Sequence, residues 1–316
     1  MLISGVFSRS RVGRGLNLIL AAGLLMLLAG CPSLMTATQA QQVNKFATAA
    51  EGYGPVPGDV IRQYADQRWS LAQVNLSTMR PKNSAAMLKL ANESKAKTYA
   101  RAKQADQALS VLMDYAALLK TLTASDYSDA LAKEAESFGE SIDKGIGKFN
   151  ELSGGSVETF GSLAGAAVRG VGGLYIRHKQ GEALKRAVTK AKKGVNELMS
   201  YTRLLLQPYA GESNDFSDLR GKLGSSFMPL AAKWYKAGQP IPMETLAWYD
   251  EQYKLAYQGE KLAKQAVSAA EKFIAAHDKL VEALENKDEI AGIVGRVGAF
   301  ASEVEAALTL KKQMES

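Results

Sequence analysis

Apolar residues recur at alternating three- and four-residue intervals along most of this chain, which is the spacing of one face of an α-helix. Leu88, Ala91, Ala102, Ala105, Leu109, Leu112, Ala116 and Leu119 fall on one such stripe, interrupted at Lys95 and Thr98. It predicts a long helix with a narrow, alanine-rich seam, because small seam residues let a neighbouring helix approach closely. Asn83 or Ser84, after Pro81, can cap its start, and Thr123 or Ser125 can begin the next helix. A second stripe, Leu184, Val188, Ala191, Val195, Leu198, Thr202 and Leu205, ends near Pro208. The third starts at Pro242 and runs through Leu246, Tyr249, Tyr253, Ala256, Ala263, Val267, Ala270, Ile274, Val281 and Leu284, with Glu260 and His277 as polar occupants. Shorter helices are expected around 126–150, 214–236 and 288–312. No alternating β-branched run lies between hairpin turns. The expected fold is therefore all-α: an elongated antiparallel helical bundle with coiled-coil-like long helices, built on heptads and not on a solenoid period.

One segment departs from this pattern. Residues 139–176, "GESIDKGIGKFNELSGGSVETFGSLAGAAVRGVGGLYI", are rich in glycine, which costs about 1 kcal/mol per residue against alanine inside a helix. Close approach of backbones would offset that cost. Gly161 and Gly165 stand four apart, as do Ala166 and Gly170, giving small faces of the kind that lets helices touch. A second piece, "AGIVGRVGAF" at 291–300, has a similar composition, and the two are expected to pack on each other. The alternative is that 157–176 leaves the bundle and enters a bilayer. A Gly/Ala-rich apolar head between long helices resembles the layout of helical pore-forming cytolysins. Glu158 and Arg169 would be costly within hydrocarbon unless paired or at an interface.

The amino terminus carries a different signal. Arg9, Arg11 and Arg14 precede an apolar stretch from Leu16 to Leu28 with no acidic residue. That stretch is short of the roughly 20 residues a membrane-spanning helix needs and matches the h-region of an export signal. It runs into Leu28, Ala29, Gly30 and Cys31, and Leu-Ala-Gly-Cys resembles the lipobox of bacterial lipoproteins. The resemblance implies cleavage before Cys31, lipid on its thiol and acylation of the new amino terminus. Absence of aspartate after Cys31 then implies the outer membrane, facing the periplasm. Two or more acyl chains hold a protein stably where one holds it marginally. The expected organisation is a cleaved signal peptide at 1–30, a lipid-anchored tether at 31–58 ending in the Gly54, Pro55, Pro57, Gly58 break, and an all-helical domain at 59–316.

Composition narrows the function. Cys31 is the only cysteine, so a lipidated chain has no thiol left for a disulfide, a metal or a nucleophile. Removing 1–30 takes three positive charges off the formal +7, and no basic run interleaved with aromatics points to nucleic acid. The basic stretch Lys185 to Lys193, with Arg177 and Lys179 upstream, reads as a solvated helix face. His178 and His277 are the two histidines and have no metal-ligand spacing; His277 on the third stripe reads as a seam residue paired with a polar neighbour. No nucleophile elbow or phosphate loop is present, and "GIGK" at 145–148 lacks the required spacing. No catalytic residue, metal or cofactor is therefore expected. Trp234, Tyr235, Trp248, Tyr249, Tyr253 and Tyr257 crowd around one turn as contact-surface candidates. Tyr249 and Tyr253 are also on the third stripe, and with the isolated Trp69 they read as core. The expectation is a non-enzymatic scaffold or protein-binding module with an envelope protein as partner.

Overall fold

The computed structural model describes residues 35–78, 81–125, 129–162, 176–286 and 290–315. Among these residues there are eight helices and no strand: α1 (Ala37–Tyr53), α2 (Val56–Thr78), α3 (Pro81–Thr123), α4 (Asp129–Ser153), α5 (Ile176–Ala210), α6 (Asp215–Lys236), α7 (Met243–Glu285) and α8 (Ile290–Glu315). The fold is all-α, a helical bundle, and each of the three stripes lies on one of its three longest helices, α3, α5 and α7. The lipobox residues Leu28, Ala29, Gly30 and Cys31, and Gly165, Ala166 and Gly170 of the small-residue face, lie outside the described residues.

Helix ends follow from local chemistry. Thr36 caps α1 in a capping box: its hydroxyl accepts the Gln39 N–H at 3.1 Å, and the Gln39 side chain accepts the Thr36 N–H at 3.0 Å. Asn214 caps α6 by accepting the Ser217 N–H at 2.8 Å. Asp215 and Asp218 occupy its first turn and Lys233 and Lys236 its last, matching the helix dipole. α3 starts at Pro81, ahead of the expected caps Asn83 and Ser84. Proline is suited to the first turn because its missing N–H would have no intrahelical acceptor there. Thr123 closes α3 instead of opening the next helix, since its hydroxyl donates back to the carbonyls of Leu119 and Lys120.

The segment expected as a tether is part of the folded body from residue 37 onward. Val43, Phe46, Ala47 and Tyr53 of α1 are all fully buried. The Gly54–Gly58 break is a bend between α1 and α2, and both helices run antiparallel along α3, tied by Lys120 to Glu51 at 2.5 Å and Arg62 to Asp106 at 2.6 Å. Glycine at these positions answers to contact: a Cβ on Gly54 would lie 2.4 Å from Met113 Sδ, and one on Gly58 would lie 1.9 Å from Asp106 Oδ1.

α7 is the axis of the assembly. Ala263, Ala266, Ala269, Ala270 and Ala276 are fully buried, so α1, α5 and α8 approach it closely. Tyr53 donates its hydroxyl to the Ala266 carbonyl at 2.8 Å, and Gln39 donates to the Ala283 carbonyl at 3.0 Å. These two bonds set α1 antiparallel to α7. Phe46, Phe273 and Phe300 fill the centre, with ring centroids 4.8 to 5.6 Å apart. Aromatic pairs at such separations add about 0.5–1.5 kcal/mol each beyond area burial.

Candidate interaction surface

α6 and α7 form a hairpin whose outer part leaves the bundle. From residue 224 to residue 255 no side chain is buried, whereas Phe216, Leu219 and Leu223 at the base of α6 and Ala256 onward in α7 belong to the core. The turn between the two helices is built by Gly238, at φ +65°, where a Cβ-bearing residue would be strained. The Gln239 N–H closes it by donating to the Trp234 carbonyl at 3.1 Å. Within the arm, Tyr249 packs edge-on against Phe227 at 4.9 Å and its hydroxyl lies 3.1 Å from the Ser226 hydroxyl. These contacts hold the two helices together and leave the outer faces bare. Tyr235 is 86% exposed, Met243 74% and Met228 67%. Tyr253, expected in the core, is exposed, because α6 alone cannot cover the full circumference of α7; Tyr249 is half-buried as a seam residue should be.

The arm and the start of α1 lie at opposite ends of α7. Gln39 is bonded at Ala283, while the arm's turn adjoins Met243. Forty residues of helix separate these points, about 60 Å at the α-helical rise. The charges between 228 and 243 are Lys233 and Lys236 alone.

Two other groups have unusual chemistry. His277 is fully buried, shares a 2.8 Å hydrogen bond between Nε2 and the Tyr115 hydroxyl, and stacks on Phe273. Burial, with a contribution from Lys192 and against that of Asp278, lowers its pKa to about 4. The imidazole is thus neutral near pH 7, a polar pair enclosed by aromatic rings. Glu260 is nearly buried, 2.5 Å from Arg220 and 2.6 Å from Lys264, and accepts from Asn214 at 3.1 Å. Burial alone would raise its pKa, but these bonds and the Arg220 charge pull it down to about 2. The network joins the base of α6 to α7, which fixes where the arm begins.

Of the small-residue face, only Gly161 is described. A Cβ there would lie 2.0 Å from the Gly139 carbonyl oxygen, so Gly161 packs on α4. Asp143 accepts its N–H at 2.6 Å, and Val157 and Phe160 beside it are buried. Within 291–300, Ile293, Val297 and Phe300 are buried, and among the described residues α8 lies along α7 and α1; residues 163–175 of the expected partner segment lie outside the described residues. The basic face of α5 is solvated as expected, with Lys192 paired to Asp278 at 3.3 Å and Lys193 to Glu158 at 3.2 Å. The side chain of His178 lies outside the described residues. Among the described residues no three His, Cys, Asp or Glu side chains converge as metal ligands, and no helix is long and apolar enough to cross a membrane.

The aromatic crowding of the arm was visible in the sequence; its separation from the bundle was not. A stripe reports which helix face is apolar, and only the neighbours decide whether that face is covered. No family model, curated protein or solved structure matches the chain. Function has to be argued from the surfaces themselves.

Proposed function

We propose that this chain is a lipid-anchored, all-helical cell-envelope protein that works as a non-enzymatic scaffold or protein-binding module, held by Cys31 on the periplasmic face of the outer membrane. The observation that carries the binding role is the arm. An antiparallel hairpin presents Met228, Tyr235 and Met243 with most of their surface in water. Exposed aromatic and methionine side chains of this kind are the residue types enriched in protein interfaces, and a solvated surface gains nothing by keeping them. The lipobox resemblance supports the anchor. Its six residues to Ala37 give a tether of at most about 21 Å, and α7 then carries the arm some tens of Å from the attachment point. An anchored end and a distal contact arm are the two parts a scaffold needs.

Photo-crosslinking in living cells tests this reading. A benzophenone amino acid at Tyr235 is expected to yield a covalent adduct with another polypeptide, while the same group at the exposed Glu282, at the far end of α7, yields none. A folded, correctly located chain that gives no protein adduct from position 235 would remove the arm as a partner surface and the scaffold reading with it.

A further inference from the structure

A second apolar surface is left open where α2, α3 and α6 meet. The seam of α3 is packed from Ala102 onward, but in its first part Met87, Leu88 and Leu90 are exposed, Leu90 at 58%. Met87 and Leu90 face Trp69, Leu71 and Leu76 of α2 across a cleft of about 350 Å³. That volume is at the lower end of the ~300–1,000 Å³ range of small-molecule sites. Its charged lining is of one sign: Arg68 from α2, Lys95 from α3 and Lys222 from α6, with no Asp or Glu among the residues that line it.

These cations are not equivalent. Lys95 is held by Asp66 at 2.7 Å and lies 5.9 Å from the centre of the Trp69 ring; Lys222 is held by Asp218 at 2.5 Å. Arg68 is exposed and makes no ion pair within 4.0 Å among the described residues, and its charge acts on Asp215 of α6 only at longer range. The Thr98 hydroxyl at the inner end is spent on the Ser94 carbonyl, at 3.0 Å. The cleft therefore offers an apolar wall and a guanidinium that no carboxylate contacts directly among the described residues. A small water-soluble anion would satisfy Arg68 and leave Leu90 and Met87 wet, and a plain hydrocarbon would cover the wall and leave Arg68 unused. A ligand that does both has one long apolar chain and one anionic head. We propose that the cleft binds a long-chain fatty acid, its acyl chain along Leu71, Leu76, Met87 and Leu90 and its carboxylate on Arg68. The scaffold reading neither requires this site nor depends on it.

The test is photolabelling of the full-length chain in membranes with a diazirine-bearing palmitate, the labelled peptides being mapped by mass spectrometry. Label is expected in the segments that hold Leu71 to Leu76 and Met87 to Leu90. Unlabelled palmitate should displace it, and methyl palmitate should do so about tenfold less well, since the ester loses the charge-assisted hydrogen bonds. Arg68→Gln should abolish that preference, and Leu90→Gln should cut labelling several-fold. Both positions are exposed, so helix content measured by circular dichroism should stay unchanged and separate lost binding from lost folding. Label spread along the chain, equal competition by acid and ester, or Leu90 crosslinking to a polypeptide in place of the fatty acid would each overturn the proposal.

Discussion

From Ala256 to Val281, α7 is enclosed by α1, α5 and α8, and its seam is made of alanines with Phe273 and His277 between them. From Met243 to Leu255 the same helix keeps the same spacing, but Leu246, Tyr249 and Tyr253 occupy it, with Trp248 beside them, α6 is the principal neighbour, and no residue is buried. Side-chain size accounts for the difference. Alanine lets three helices crowd one axis at once, whereas a run of aromatics holds neighbours away and is half-covered by a single partner. One helix thus has an end that stabilises the molecule and an end whose apolar surface does little for folding.

If the enclosed end is also the anchored end, the largest effect should come from the attachment point. Cys31→Ser is expected to eliminate acyl labelling completely and to leave an uncut precursor, while substitutions in the arm leave labelling untouched. Metabolic labelling with an alkynyl fatty acid reads both. Normal processing of the Cys31 variant would detach the lipoprotein reading from the scaffold reading.

Within the folded body, Phe273→Ala in the enclosed half should cost about 3–5 kcal/mol, the range for removing a buried aromatic ring. It opens a hole between Phe46, His277 and Phe300. Trp248→Ala in the arm should cost clearly less, because its ring is half in solvent already. Urea unfolding followed by circular dichroism compares the two midpoints. Equal losses would show that the arm is stabilised as the core is.

The enclosed end should also be the acid-sensitive one. His277 has a folded-state pKa of about 4 against an ordinary 6.5, so between these values the unfolded chain binds the extra proton and the folded chain does not. Stability contributed by the neutral imidazole is complete above pH 6.5 and is lost as pH falls towards 4. The difference is worth about 3 kcal/mol, from 1.36 kcal/mol per unit. Glu260 acts in the next window down: its pKa of about 2 lies below the ordinary 4.5, so its contribution is present above 4.5 and disappears towards 2. His277→Gln should flatten the stability profile between pH 6.5 and 4 and leave the Glu260 step in place. A profile unchanged by that substitution would mean that the imidazole is not enclosed in solution.

Periodicity located the three long helices because their stripes span many turns, and a period is hardest to mistake when it is long. α1 and α2 were harder to see. Gly54, Pro55, Pro57 and Gly58 read as a chain break, yet Gly54 and Gly58 lie against Met113 and Asp106 of α3, residues about fifty positions away that no local pattern reveals. His277 was legible as a seam histidine, but its partner Tyr115 was not, since 162 residues separate them. Leu88 and Tyr253 sit on their stripes as expected and are exposed all the same. Trp69, expected as core, is half-buried at the edge of the α2–α3 cleft for the same reason. The amphipathic face is written in the sequence; the number of helices that cover it is set by the tertiary arrangement.

The smallest effect on stability should accompany a large effect on binding. Tyr235→Ser combined with Met243→Ser removes two side chains that are mostly in water, and substitutions at such surfaces usually change stability by no more than about 0.5 kcal/mol. Both positions lie next to the turn of Gly238 and touch none of the groups that join the arm to the body, so the hairpin should persist. Any partner captured through the arm should nevertheless be lost, because exposed aromatic anchors that become buried on binding carry a disproportionate share of the affinity, ~2 kcal/mol or more each. Co-purification in detergent, quantified for the wild-type chain and the double variant, gives the readout, with Leu204→Ser on the outer face of α5 as an exposed apolar control. Retention of the partner by the double variant and its loss from the Leu204 control would move the contact surface from the distal arm to the side of the bundle, and the distinction between the two ends of α7 would then be one of packing alone.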